Sequence, residues 1–108
     1  MISSHILDTN LGQPAVDVEV RLFNGEGKQL AKARTNQDGR VLVNDFGLAH
    51  IEAGDYSIEF ATQDYFAAQH IATFFPKAVI HFSITDATQH YHIPLLISPY
   101  AYSTYRGS

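Results

Sequence analysis

The sequence predicts an all-β domain, a sandwich of two packed sheets with about eight strands and one short helix. Three observations point there. The dominant hydrophobic period is two rather than 3.6. Turn signals recur between the alternating runs, at Asn24-Gly25-Glu26-Gly27, Gln37-Asp38-Gly39 and Ala53-Gly54-Asp55. The chain has 108 residues, 45% of them hydrophobic, which suits one domain over 1–108 with a modest core.

The strands are expected near 3–8, 15–23, 29–35, 40–44, 55–61, 78–84, 90–97 and 101–106. In the second, Val16, Val18, Val20 and Leu22 fall on one face, and Asp17, Glu19 and Arg21 on the other. Tyr56, Ile58 and Phe60 alternate with Ser57 and Glu59. Ala78, Ile80, Phe82 and Ile84 alternate with Val79, His81 and Ser83. Each pattern gives a strand one buried face. Eight short strands with frequent turns fit a two-sheet sandwich. One segment departs from the period. The run at 64–72 contains Ala67 and Ala68, and Phe66 precedes His70 by one helical turn. A short helix is expected there, capped by Thr62 and ending before Pro76.

Composition removes several function classes. Net charge is −4, and no run of four basic residues occurs, so neither nucleic acid nor an acidic membrane surface is an expected partner. There is no cysteine, which excludes disulfides, thiolate metal sites and a cysteine nucleophile. Met1-Ile2-Ser3-Ser4-His5 lacks the basic and apolar regions of a secretory signal, and no apolar run reaches membrane-spanning length. A cytoplasmic location is the expectation, although an exported form with its signal removed would read the same way.

Six histidines occur. His50, His70 and His81 read as surface or partly packed residues. His90 and His92 differ. On a strand through His90-Tyr91-His92-Ile93-Pro94-Leu95-Leu96-Ile97, the residues Tyr91, Ile93, Leu95 and Ile97 share the core face. His90, His92, Pro94 and Leu96 share the other, so His92 is expected to point away from the core. Pro94 and Leu96 make that outer face half apolar, which reads as a surface covered by another subunit. Pro94 cannot donate to a ladder, so a bulge or an unpaired N–H position is needed there. His-x-His on a strand also permits a zinc site, with His5 as third ligand and Asp8 as the nearby carboxylate, kept as a minority reading. The C-terminal run Tyr100 to Ser108 is tyrosine-rich and alternates almost to its end. A terminal strand accounts for Tyr100 to Thr104 but poorly for Arg106-Gly107-Ser108, since termini usually fray.

Three motifs carry a family resemblance. They are Ser4-His5-Ile6-Leu7-Asp8 followed by Gly12-Gln13-Pro14-Ala15; Thr35-Asn36-Gln37-Asp38-Gly39-Arg40; and His90-Tyr91-His92-Ile93-Pro94-Leu95-Leu96 continuing to Tyr105-Arg106-Gly107-Ser108. In this order, over essentially the whole chain, the sequence resembles the transthyretin-like 5-hydroxyisourate hydrolases. Ala101 and Ile97 depart from the glycine and leucine common in that family. The resemblance implies a transthyretin-like (prealbumin-like) sandwich. It also implies a homotetramer, a dimer of dimers, with active sites in the channel between dimers. It implies His5, Arg40, His92 and Ser108 as the catalytic set, with Tyr105, Arg106 and Gly107 shaping a substrate pocket.

The implied reaction is ring opening of 5-hydroxyisourate to the ureidoimidazoline carboxylate, with no cofactor and no metal. A neutral imidazole can take a proton from water near neutral pH. His5 or His92 is the expected base, and the residues do not rank them. Arg40 would stabilise the developing oxyanion with a fixed positive charge. Ser108 could orient water or a histidine through its hydroxyl or a terminal carboxylate. No Gly-x-Ser-x-Gly elbow occurs, which argues against a serine nucleophile. The alternative is a transthyretin-like protein that binds a small aromatic ligand without catalysis. A sandwich module for peptides or sugars is a weaker third reading.

Overall fold

The computed structural model describes residues 1–108. Nine strands form two sheets, with one α-helix and one 3-10 turn. The strands are β1 Ile2–Asp8, β2 Gln13–Pro14, β3 Glu19–Asn24, β4 Gln29–Arg34, β5 Arg40–Val41, β6 Gly54–Phe60, β7 Ala78–Ile84, β8 Tyr91–Ser98 and β9 Ala101–Thr104. The α-helix, α1, covers Thr62–Ala67. One sheet runs β2-β1-β8-β9, with β5 also paired to β1. The other runs β4-β3-β6-β7. No helix is long and apolar enough to cross a membrane.

The inner faces meet in one cluster of 18 buried apolar side chains. Ile2 and Ile6 of β1 lie there with Tyr91, Ile93, Leu95 and Ile97 of β8. Val20 and Leu22 of β3 face them with Tyr56, Ile58 and Phe60 of β6. Period-two alternation thus sorts the core as expected. In β7 only Ala78 and Ile84 are fully buried; Ile80 and Phe82 stay half open because β7 is an edge strand.

Several expected boundaries shift for local reasons. The strand expected over 15–23 starts at Glu19, because Asp17 adopts φ +61° and breaks the alternation. Ala15 is buried in place of Val16. Thr35 holds that kink: its hydroxyl donates to the Ala15 carbonyl at 2.7 Å and accepts the Val18 N–H at 2.9 Å. The strand expected over 40–44 is cut to two residues. A 3-10 turn at Val43–Phe46 follows, where Asp45 accepts the Leu42 N–H. The helix is shorter and earlier than expected. Thr62 lies within its first turn, and Ala61 is the cap without a side-chain bond. It stops by Ala67, and His70 then turns the chain at φ +61°.

The last strand leaves the sheet early, and Pro94 supplies the reason. The β8–β9 ladder begins at Leu95↔Thr104, and the isolated bridge His92↔Gly107 resumes it in the same register. Pro94 lies between the two and has no N–H to give. Its carbonyl instead accepts the Thr104 hydroxyl at 2.7 Å. The ladder therefore opens around Tyr105 and Arg106 and closes at Gly107, without a bulge in β8. Pro94 is itself buried within the chain, so the outer apolar face is partly covered by the protein's own tail.

Candidate functional site

Register brings the predicted residues to one outer face. In the antiparallel pair β1–β5, His5 stands opposite Arg40. In the parallel pair β1–β8, Ser3 stands beside His92 and His5 beside Pro94. Side chains at paired positions project from the same face. Ser3, His5, Arg40, His92 and Pro94 therefore share the face turned away from the core.

Each is held by local structure. Arg40 follows a tight turn built on Asn36. The Asn36 carboxamide oxygen accepts the N–H groups of Asp38 and Arg40, and the Arg40 carbonyl accepts the Asn36 N–H. Gly39 within that turn has φ +72°, and an added Cβ would lie 2.6 Å from the Ile6 carbonyl oxygen. Only glycine fits there, and its own carbonyl accepts the Ile6 N–H at 2.8 Å. The turn is thereby locked onto β1 beside His5.

His92 is half-buried and gripped on two sides. Its Nδ1 lies 2.8 Å from the Ser3 hydroxyl. Gly107 packs against the ring so closely that an added Cβ would lie 2.5 Å from His92 Cδ2. The Gly107 N–H also donates to the His92 carbonyl at 2.9 Å. Burial, and then the positive charges of Arg40, His90 and His5, lower the His92 pKa below its ordinary 6.5. Both effects favour the neutral imidazole, the form that can accept a proton.

A cleft on this side is lined by Arg40, His92 and Ser108, together with Ser3 and His90. His5 stands beside it on the same face. The structure does not bring all the C-terminal residues there. Tyr105 and Arg106 line a separate cleft reaching toward Ile80 and Phe82, with His92 the wall common to both. The Arg106 guanidinium, expected to shape the pocket with Tyr105 and Gly107, sits 4.6 Å over the Tyr91 ring and donates to Gln89. Tyr91 belongs to the core face, so Arg106 anchors the tail across the end of the sandwich.

Ser3 and His90 are the residues that the sequence reading missed or left unassigned. The Ser3 hydroxyl lies 2.7 Å from His90 Nε2 as well as 2.8 Å from His92 Nδ1. Ser3 occupies the same parity as His5 on β1, a signal that the alternation itself carries. Asp8 is not available as a metal ligand. It is fully buried on the opposite face, where it accepts the Asn10 and Leu11 N–H groups and the Tyr65 hydroxyl. No group of three or more His, Cys, Asp or Glu side chains is arranged to hold a metal ion.

The family model described as HIUase/Transthyretin family matches residues 2–107. A 5-hydroxyisourate hydrolase of Caulobacter vibrioides is 44% identical, over 99% of this chain and 97% of its own. One from Salmonella dublin is 43% identical, over 100% of this chain and 81% of its own. The solved structure of Klebsiella pneumoniae 5-hydroxyisourate hydrolase superposes with a TM-score of 0.90 at 42% identity, covering 99% of this chain and 98% of that one. Sea bream transthyretin, solved in complex with thyroxine, superposes with a TM-score of 0.89 at 29% identity, covering 98% and 93%.

Proposed function

Because the chain belongs to the HIUase/Transthyretin family, we propose that it hydrolyses 5-hydroxyisourate, with His92 as general base and Arg40 as the oxyanion partner. The observation that carries this reading is the shared outer face of His5, Arg40 and His92, where burial and the Arg40 charge hold the His92 pKa below its ordinary value. In the proposed reaction, His92 takes a proton from water while the water oxygen attacks a ring carbonyl. Negative charge develops on that carbonyl oxygen, where the Arg40 guanidinium meets it. The carbon–nitrogen bond then breaks, the ring nitrogen receives the proton from His92, and the ring-opened ureidoimidazoline acid releases its carboxyl proton to solvent and leaves as the carboxylate. His5 and Ser108 hold water or substrate across the same face.

The face is open in a single chain, and such chemistry needs a site that excludes bulk water. We assign the cover to further copies of the chain, assembled as a dimer of dimers with the sites in the channel between dimers. Support comes from exposed apolar side chains on the same molecule, with Phe74 70% and Tyr100 68% accessible. Tyr105 and Gly107 contribute to the rim of that channel.

The likeness to sea bream transthyretin supports the second reading, a small-ligand binder without catalysis. Decay of freshly generated 5-hydroxyisourate, followed with and without the protein, separates the two. Acceleration by wild type, lost by roughly two to four orders of magnitude in a folded His92→Ala variant, is expected. No acceleration by wild type leaves only the binder. The mass of the protein in solution tests the tetramer.

A further inference from the structure

We infer that Ser3 is a positioning residue that, linked to His90, decides which nitrogen of His92 carries the proton. This rests on the reading of His92 as the base. Ser3 is 6% exposed and bridges the two imidazoles, at 2.7 Å from His90 Nε2 and 2.8 Å from His92 Nδ1. A serine hydroxyl has a single proton, so it donates to one ring and accepts from the other.

Two arrangements satisfy that rule. In the first, His92 Nδ1–H donates to Ser3, and Ser3 donates to a bare His90 Nε2. His92 Nε2 is then left with a free lone pair, ready to take a proton from water. In the second, His90 Nε2–H donates to Ser3, and Ser3 donates to His92 Nδ1. A neutral His92 must then carry its proton on Nε2 and cannot serve as a base there. Gly107 packed on the ring and the fixed Ser3↔His92 pairing leave the imidazole little freedom to escape by turning. The tautomer of His92 thus follows the state of His90.

The consequence is a pH response of unusual form. When His90 takes up a second proton, its Nε2 can only donate. Ser3 is then forced into the second arrangement, and His92 is switched off without gaining charge. The other charged groups that act on His92 are Arg40 from β5 and His5 from β1. Ser108 lines the same cleft, whereas Arg106 is held on the far side by Tyr91 and Gln89. None of these four touches the Ser3 hydroxyl.

Ring ¹⁵N spectra of labelled protein read the tautomer directly, whatever the activity. In wild type near pH 8, His92 is expected to carry its proton on Nδ1. Ser3→Ala should mix or reverse that assignment and lower kcat on the order of 10- to 100-fold with little change in KM. Ser3→Thr, which restores the hydroxyl, should recover both. In His90→Gln the amide oxygen can accept from Ser3 but cannot take a proton. That variant should keep the His92 tautomer and make the acid limb of the kcat profile less steep. A wild-type His92 protonated on Nε2 near pH 8 overturns the inference, and so does a Ser3→Ala protein with unaltered ¹⁵N pattern and acid limb. If Ser3→Ala does not fold, the wild-type spectrum and the His90→Gln profile decide. A protein that shows the expected tautomers yet leaves 5-hydroxyisourate untouched overturns the functional reading and not the bridge.

Discussion

The His92 imidazole lies directly against the backbone of Gly107, with the Gly107 N–H donating to the His92 carbonyl. An added Cβ at Gly107 would lie 2.5 Å from His92 Cδ2 and 3.1 Å from Pro94 Cγ. The C-terminal segment therefore acts as a wall for the imidazole. A methyl group there has to push the ring off Ser3 or lift the tail from β8. Gly107→Ala is expected to lower turnover on the order of 10- to 100-fold, since small displacements of a reacting group cost that much. Its melting temperature should change little, because the tail is largely outside the core. The decay assay and a thermal melt on the same sample check the pair of outcomes.

Gly39 fixes the opposite wall. Its φ of +72° is combined with a Cβ position 2.6 Å from the Ile6 carbonyl oxygen, which is backbone and cannot swing away. Gly27 has a similar φ of +82° but open space around it. Gly27→Ala should cost about 1–2 kcal/mol for the left-handed conformation alone. Gly39→Ala should cost clearly more, and should disturb Arg40 as well. Urea denaturation of the two variants measures the difference, and equal losses would remove the steric role assigned to the Gly39 turn.

The alternation made the two-sheet core legible, because burial follows parity in β3 and β6, and in β1 and β8 apart from Ser3 and Pro94, which are buried on the outer face. The outward direction of His92 was legible for the same reason. Boundaries failed where a single residue overrides periodicity, as Asp17 does with its left-handed backbone. The helix start was misplaced because Ala61, which has no capping side chain, offers no signal. The contact of Arg106 with Tyr91 was not legible because it depends on the gap that Pro94 opens in the ladder, beyond which parity along the terminal run sends the guanidinium toward Tyr91. Ser3 was overlooked because its role needs β1 and β8 side by side. A parallel pairing of residues 89 positions apart in the chain cannot be read from either segment alone.

Charge around His92 makes a prediction with a definite sign. Burial first, then Arg40, His90 and His5, lowers its pKa from 6.5. In the window between the lowered value and 6.5, the unfolded chain binds a proton that the folded chain refuses. Stability from this residue is thus complete above 6.5 and is lost as pH falls through the window. The neutral base likewise survives to lower pH than an ordinary histidine. Arg40→Gln removes one of the opposing charges, so the His92 titration should move upward, toward 6.5. An NMR titration of the ring protons in both proteins checks this, and a downward movement would contradict the proximity of Arg40 to His92.

Asp8 makes the last prediction, at the far end of β1 from the site. Its carboxylate is fully buried and has no cationic partner. One oxygen accepts the Asn10 and Leu11 N–H groups, and the other accepts the Tyr65 hydroxyl at 2.7 Å. A buried charge is tolerated only while its lone pairs are occupied. Burial, and then Asp8, raises the Tyr65 pKa from 10.0 to about 12. Between these values the folded chain keeps a proton that the unfolded chain has released, so stability falls as pH rises through that window. Tyr65→Phe deletes the donor and leaves one carboxylate oxygen unsatisfied, which should cost about 1–3 kcal/mol at neutral pH. It should also remove the alkaline loss of stability between pH 10 and 12 that belongs to Tyr65. Denaturant unfolding of wild type and variant at pH 7 and pH 11 measures both effects. A smaller gap between the two proteins at pH 11 than at pH 7 is the expected sign, because the wild type gives up part of its advantage as the solution becomes alkaline.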